Sequence, residues 1–156
     1  MHKSRILILI AINLSLIGCA SGPAFKAVNP IPEGKGVVYI YREHAFMGAG
    51  SGVTSDVTVN NTPITNILSG GYFPYITEPG SKHFEVSTEA TNQADVLVVA
   101  GKEKYLKTTV GMGFLIGHLH LTEVSPEIGR NEIKDCQLLE PIIKVDEADI
   151  KVDAAE

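Results

Sequence analysis

Between Gly36 and Val124 turn-forming residues recur about every ten positions, and that rhythm restricts the chain to short strands. The stretches between the turns are rich in β-branched and aromatic residues: GVVYIYRE, VTSDVTVN, PITNIL, YFPYIT, KHFEVSTE, ADVLVVA, EKYLKTTV and GFLIGHLHLTEV. Val57 and Val59 alternate with polar neighbours, as do Phe84 and Val86. Asn60-Asn61 suits a tight turn, because Asn tolerates positive φ. Glu78-Pro79-Gly80-Ser81 suits a type II turn. Pro63 stands at the start of its strand, where a missing N–H does least harm. Nothing in 36–124 carries an apolar stripe at helical spacing.

The expectation is a mostly β protein: a small antiparallel β-sandwich, Ig-like or transthyretin-like, over residues 36–140. With no Trp and 6% aromatics, its core should be mostly aliphatic. Ser125-Pro126-Glu127 is a helix start, with a capping hydroxyl, Pro in the first turn and an acid at the positive end of the dipole. It predicts one short C-terminal helix over about 126–134, weakened by Gly129. CQLLEPII then reads as a returning strand. Residues 141–156, ending VDEADIKVDAAE, are acidic and without aromatics, and read as a mobile tail.

The N-terminus follows different rules. His2, Lys3 and Arg5 precede a run from Ile6 to Ile17 interrupted only by Asn13 and Ser15. That run is shorter than the roughly 20 residues that span a bilayer, and the layout is that of a secretory leader. It ends Leu16-Ile17-Gly18-Cys19, which resembles the lipobox of bacterial lipoproteins. The resemblance implies a diacylglyceryl thioether on Cys19, cleavage between Gly18 and Cys19 that removes residues 1–18, and acylation of the freed amino group by a fatty acid such as palmitate. Ala20, in place of Asp, resembles the pattern that sends Gram-negative lipoproteins to the outer membrane, facing the periplasm. Residues 19–35 then comprise the lipidated Cys and a flexible tether, with Pro23, Pro30, Pro32, Gly22 and Gly34. Stretched out, residues 20–35 would reach about 50 Å at about 3.3 Å per residue.

Lipidation of Cys19 leaves Cys136 without an intramolecular partner. In an oxidising compartment it is either a buried small hydrophobe, the preferred reading, or half of an intermolecular disulfide. No His or cationic side chain adjoins it to activate the thiol.

The formal charge of −5 and the absence of a Lys/Arg cluster exclude a nucleic-acid binder and a polybasic grip on anionic lipid. His118-Leu119-His120 is the best metal-like pair, since residues two apart on a strand share a face. Two solvent-facing histidines around inward leucines explain the same pattern and are preferred. Gly48-Ala49-Gly50-Ser51-Gly52 lacks the Lys-Ser/Thr of a phosphate loop and reads as a flexible connection. Arg42-Glu43-His44 reads as solvated strand-end charge, because neighbours on a strand point to opposite faces. No catalytic residue, metal site or cofactor is assigned beyond the covalent lipid on Cys19.

VVYIYRE at 37–43, Val57-x-Val59-Asn60-x-x-x-Ile64, LSGGYFPYITEPGSKHFEV at 68–86 and VSPEIGRNEIKDC at 124–136 together resemble a family of bacterial envelope lipoproteins built on one β-rich domain of unknown function. The matching features are a Tyr-x-Tyr-Arg strand, a Gly-Tyr-Phe strand and a Pro-Gly-x-x-x-Phe hairpin. The resemblance implies a small β-domain on a lipid anchor and brings no reaction. The function expected is that of a membrane-anchored, non-catalytic envelope lipoprotein presenting its β-domain to an envelope protein or to the cell-wall polymer. The alternative is a small-ligand or metal-binding lipoprotein that uses the His118/His120 face.

Overall fold

Asn60 and Asn61 take φ of 47° and 67°, and Val59 pairs directly with Thr62 across them. This is the two-residue hairpin turn expected of the Asn pair. The computed structural model describes residues 19–45, 50, 52–114 and 117–142, and these form nine strands. They are β1 (Gly36–Tyr41), β2 (Ser55–Val59), β3 (Thr62–Ile67), β4 (Gly71–Thr77), β5 (Gly80–Ser87), β6 (Thr91–Val98), β7 (Glu103–Gly111), β8 (His118–Val124) and β9 (Gln137–Leu138). One sheet has the order β8-β7-β1-β4-β9 and the other β3-β2-β5-β6. The protein is therefore a mostly β two-sheet sandwich with one short C-terminal helix, as its turn spacing predicts.

Two pairings depart from an all-antiparallel scheme. β1 lies parallel to β7, and β4 parallel to β9. The chain leaves β1, builds β2 to β6, and returns as β7 beside the strand it left. β1 is buried at every position. A strand covered on both faces reads as a continuous apolar run, which is how GVVYIY reads. Val38 and Ile40 face the core between the sheets, with Val57, Phe84, Leu106 and Leu119. Val37, Tyr39 and Tyr41 face the other way, into a second core with Tyr72, Tyr105 and Cys136. The mostly aliphatic core expected from composition describes the first of these only. The second holds four of the five tyrosines.

Pro79-Gly80 is not the hairpin that the motif suggested. β4 and β5 lie in opposite sheets, so the turn is a corner, with Gly80 at φ 129°. β5 pairs instead with β2 and β6 of the facing sheet.

The helix α1 (Pro126–Glu132) starts where Ser125 predicts, its Oγ accepting from the Ile128 N–H at 3.4 Å, and a 3-10 turn continues it over Ile133–Asp135. Gly129 faces the sheet: a Cβ there would stand 2.2 Å from Cγ of Tyr105. The residue that weakens the helix is the one that lets it lie on the tyrosines. Beyond β9, Pro141 bridges to Thr65 and the Ile142 N–H donates to the Ile64 carbonyl. The first two residues of the expected tail thus pair with β3. The rest of the tail, residues 143–156, lies outside the described residues, as do the leader 1–18 and Gly48, Ala49 and Ser51 of the glycine-rich run.

Candidate functional site

The segment after Cys19 is built into the domain, which corrects the reading of 20–35 as a flexible tether. The Ala20 N–H donates to the Ser69 carbonyl at 3.0 Å, and Cys19 forms a bridge with Ser69. The Phe25 N–H donates to the Cys136 carbonyl at 2.9 Å, and the Leu138 N–H to the Pro23 carbonyl at 2.8 Å. Tyrosine hydroxyls do the rest: the Val28 N–H donates to Tyr39 at 2.7 Å and the Lys26 N–H to Tyr72 at 3.3 Å. The Phe25 ring meets Tyr39 and Tyr72 edge-on, with centroids 5.5 and 5.0 Å away. Strand register assembles this surface, since Tyr41 pairs with Tyr72 and Tyr39 with Tyr105 on three adjacent strands. The sequence carried one signal of it. Phe25, Val28 and Ile31 recur at every third position of the Pro-rich run, and all three pack against the tyrosines.

The consequence concerns Cys19. Its side chain is exposed while the next residue, Ala20, is buried and hydrogen-bonded. It sits at the end of the sandwich where β1 stops, because Ser69 leads into Gly71 and Tyr72, opposite Tyr41. Beneath it Arg42, only 2% exposed, donates to the carbonyls of Gly50 and Val53. Arg42 is therefore a buried clamp on the connection after β1, not a solvated strand-end charge. Glu43 and His44, by contrast, are exposed. Cys136 is buried, its Sγ 3.6 Å from the Arg42 carbonyl. Burial, with Glu43, Asp135 and Glu132 adding to it, pushes its thiol up to about 12. It behaves as a packed apolar group.

Lys107 joins β7 to the helix. Its Nζ lies 2.6 Å from Glu43 and 2.8 Å from Glu132, and the Tyr41 hydroxyl donates to Glu132 at 2.6 Å. Burial alone would raise the Glu132 carboxyl, but hydrogen bonds from Lys107 and Tyr41 outweigh it and hold the group below the usual carboxylate range. Burial would lower Lys107, and its two carboxylate partners more than compensate. Glu132 therefore contributes stability fully above its unfolded pKa, and the contribution is lost as pH falls through the folded value. Lys107 contributes fully below its unfolded pKa, and that is lost as pH rises through the folded one. Glu132→Gln should lower Tm at neutral pH, with the gap to the parent shrinking in acid. Thermal melts across the acid range check this, and a gap independent of pH contradicts it.

The histidines do not assemble. His118 and His120 share a face of β8, but the His120 ring lies over Gly111, where a Cβ would be 2.7 Å from Nε2. His118 Nε2 stands 3.9 Å from Glu89. The other candidate ligands are elsewhere: His83 with Asp95 at 2.8 Å, Glu123 with Lys104 at 2.7 Å, and His44 against the Asp135 carbonyl at 3.2 Å. Among the described residues no group of three or more His, Cys, Asp or Glu could hold a metal ion. Nor is any helix among them long and apolar enough to cross a membrane.

Neither the curated proteins nor the solved structures compared with the chain give a match. One family model, described as Protein of unknown function (DUF2846), matches residues 32–118. The match runs from just before β1 to the first residue of β8. It leaves out residues 19–31 and the helical return, VSPEIGRNEIKDC included. It covers more than half of the chain, and the chain belongs to this family of proteins of unknown function.

Proposed function

We propose that the protein is a lipid-anchored envelope lipoprotein, attached through acyl chains on Cys19 after cleavage at Gly18. It is non-catalytic, sits at the outer membrane facing the periplasm, and presents its sandwich to an envelope protein or to the cell-wall polymer. The observation that carries this reading is the Cys19 side chain itself. It follows a leader-like run, ends that run at a lipobox-like tetrapeptide, and is exposed on a domain that begins one residue later. The surface left for a partner is the outer face of the β3-β2-β5-β6 sheet, where β6 alternates exposed Asp95 and Leu97 with buried Val96 and Val98. No observation favours the metal carrier, since His118 and His120 lack a third ligand among the described residues.

Intact-mass and N-terminal analysis of the protein purified from membranes tests the anchor. The expected product begins at Cys19 and carries a diacylglyceryl group plus an N-acyl chain. A product that begins elsewhere, or carries no acyl group, refutes the proposal.

A further inference from the structure

Two apolar side chains near the Cys19 end have no cover. Met112 is 99% exposed and Phe114 94%, and both lie in the connection between β7 and β8. β7 is parallel to β1 and outruns it: Tyr41, the last residue of β1, pairs with Lys107, whereas β7 continues to Gly111. Those four extra residues carry the tip roughly 13 Å past the end of β1. The connection therefore lies at the end of the sandwich that holds Ser69 and Cys19, beside the β1–β2 connection, where Gly50 stands against Val110. It is also fastened to the body, because the Phe114 N–H donates to Glu89 in the β5–β6 turn at 2.8 Å.

Scattered exposed apolar residues are ordinary. These two stand two residues apart just after β7, at the end that holds Cys19. The occupant follows from the docked segment. Ala20 is hydrogen-bonded to the body, so acyl chains on Cys19 enter the bilayer with no leash between lipid and domain. That end of the sandwich must then lie against the lipid surface. Two cations at this end are already committed, Arg42 to loop carbonyls and Lys107 to two carboxylates. The uncovered apolar pair offers insertion as the contact.

We propose that Met112 and Phe114, just after β7, insert into the leaflet that holds the Cys19 lipid. This second contact fixes the sandwich end-on to the membrane. The proposal rests on the lipidation reading above.

The chain has no Trp, so Phe114→Trp gives a single emitter. The full-length acylated variant is placed in phosphatidylcholine vesicles and compared with Val99→Trp. Val99 is 44% exposed and follows Val98, which pairs with Gly80 at the opposite end. Emission from position 114 should shift to the blue and lose intensity with brominated lipid, whereas position 99 should stay open to iodide in the water. Position 114 remaining open to iodide on acylated, vesicle-bound protein overturns the inference and leaves the anchor standing. A blue shift without bromolipid quenching, as a second copy or a protein partner would give, overturns it too. Protein that carries no acyl group fails the anchor reading and this one with it.

Discussion

Gly129→Ala is expected to destabilise the protein even though it improves the helix. In an exposed helix interior the change gains about 1 kcal/mol of propensity. Here the new methyl would meet Tyr105, 2.2 Å from Cγ and 2.4 Å from Cβ. Tyr105 has nowhere to go. It is buried, its ring centroid lies 5.2 Å from that of Tyr39, its hydroxyl donates to Glu103 at 3.1 Å, and its strand is paired on both sides. The helix must lift instead, which uncovers the tyrosine core. Overpacking typically costs 1–3 kcal/mol and occasionally more, and this contact is at the severe end. A net loss of about 2 kcal/mol follows, several degrees in Tm for a domain of this size. Urea denaturation checks it, with half-exposed Ile128→Ala as the control on the same helix. A neutral or stabilised Gly129→Ala would show that the helix stands farther from the sheet.

The same glycine shows how far the sequence could be read. Gly129 counted against the helix because propensity is local, and Tyr105, twenty-four residues earlier, is visible only once the fold exists. Signals closed within a few residues were legible: the Asn60-Asn61 turn, the Ser125 cap, the alternation in β5. Signals that depend on which strand lies beside which were not. Pro79-Gly80 has the composition of a hairpin turn, but whether a turn stays in one sheet or crosses to the other depends on which strands the next one pairs with, and here β5 pairs with β2 and β6. GVVYIY announced a strand buried on both sides, yet not that β7 would lie parallel to it. The segment 20–35 was misread for a related reason. Pro and Gly make a chain extended, and extension serves a tether and a docked edge equally well. What decides is the apolar triplet Phe25, Val28 and Ile31, meaningful only beside four tyrosines that β1, β4 and β7 bring onto one face. Of the candidate site, the sequence singles out Cys19 by the run it ends, whereas the docking of the residues after it depends on the fold. The His118/His120 pair was visible as a pattern, and the fold gives it no further ligand among the described residues.

Cys19→Ala is expected to persist as an uncleaved precursor and to be missing from the outer-membrane fraction. On the proposed anchoring, lipid transfer would need an exposed thiol, and the chain offers no substitute. Cys136 is its only other cysteine and is buried in the tyrosine core, where its raised pKa keeps it protonated. One fatty chain alone holds a protein only marginally, at about 0.8 kcal/mol per buried methylene, and stable anchoring takes two or more. All of that attachment would be lost together, and the tip at Met112 and Phe114 is too small to replace it. The substitution should not disturb the fold. The Cys19 side chain is exposed, and the contact that starts the domain runs from the Ala20 N–H to the Ser69 carbonyl without involving the sulfur. Immunoblots of fractionated cells should therefore show a longer, mislocalised chain, while melts of leaderless protein give the same Tm for Cys and Ala at position 19. Cys136→Ala should behave in the opposite way, with processing intact and Tm lowered, because its loss leaves a cavity beside Ile133. Normal processing and membrane retention of Cys19→Ala would break the link between the sulfur and the bilayer, and a lowered Tm for that variant would mean that misfolding, not lost lipid, explains its misplacement.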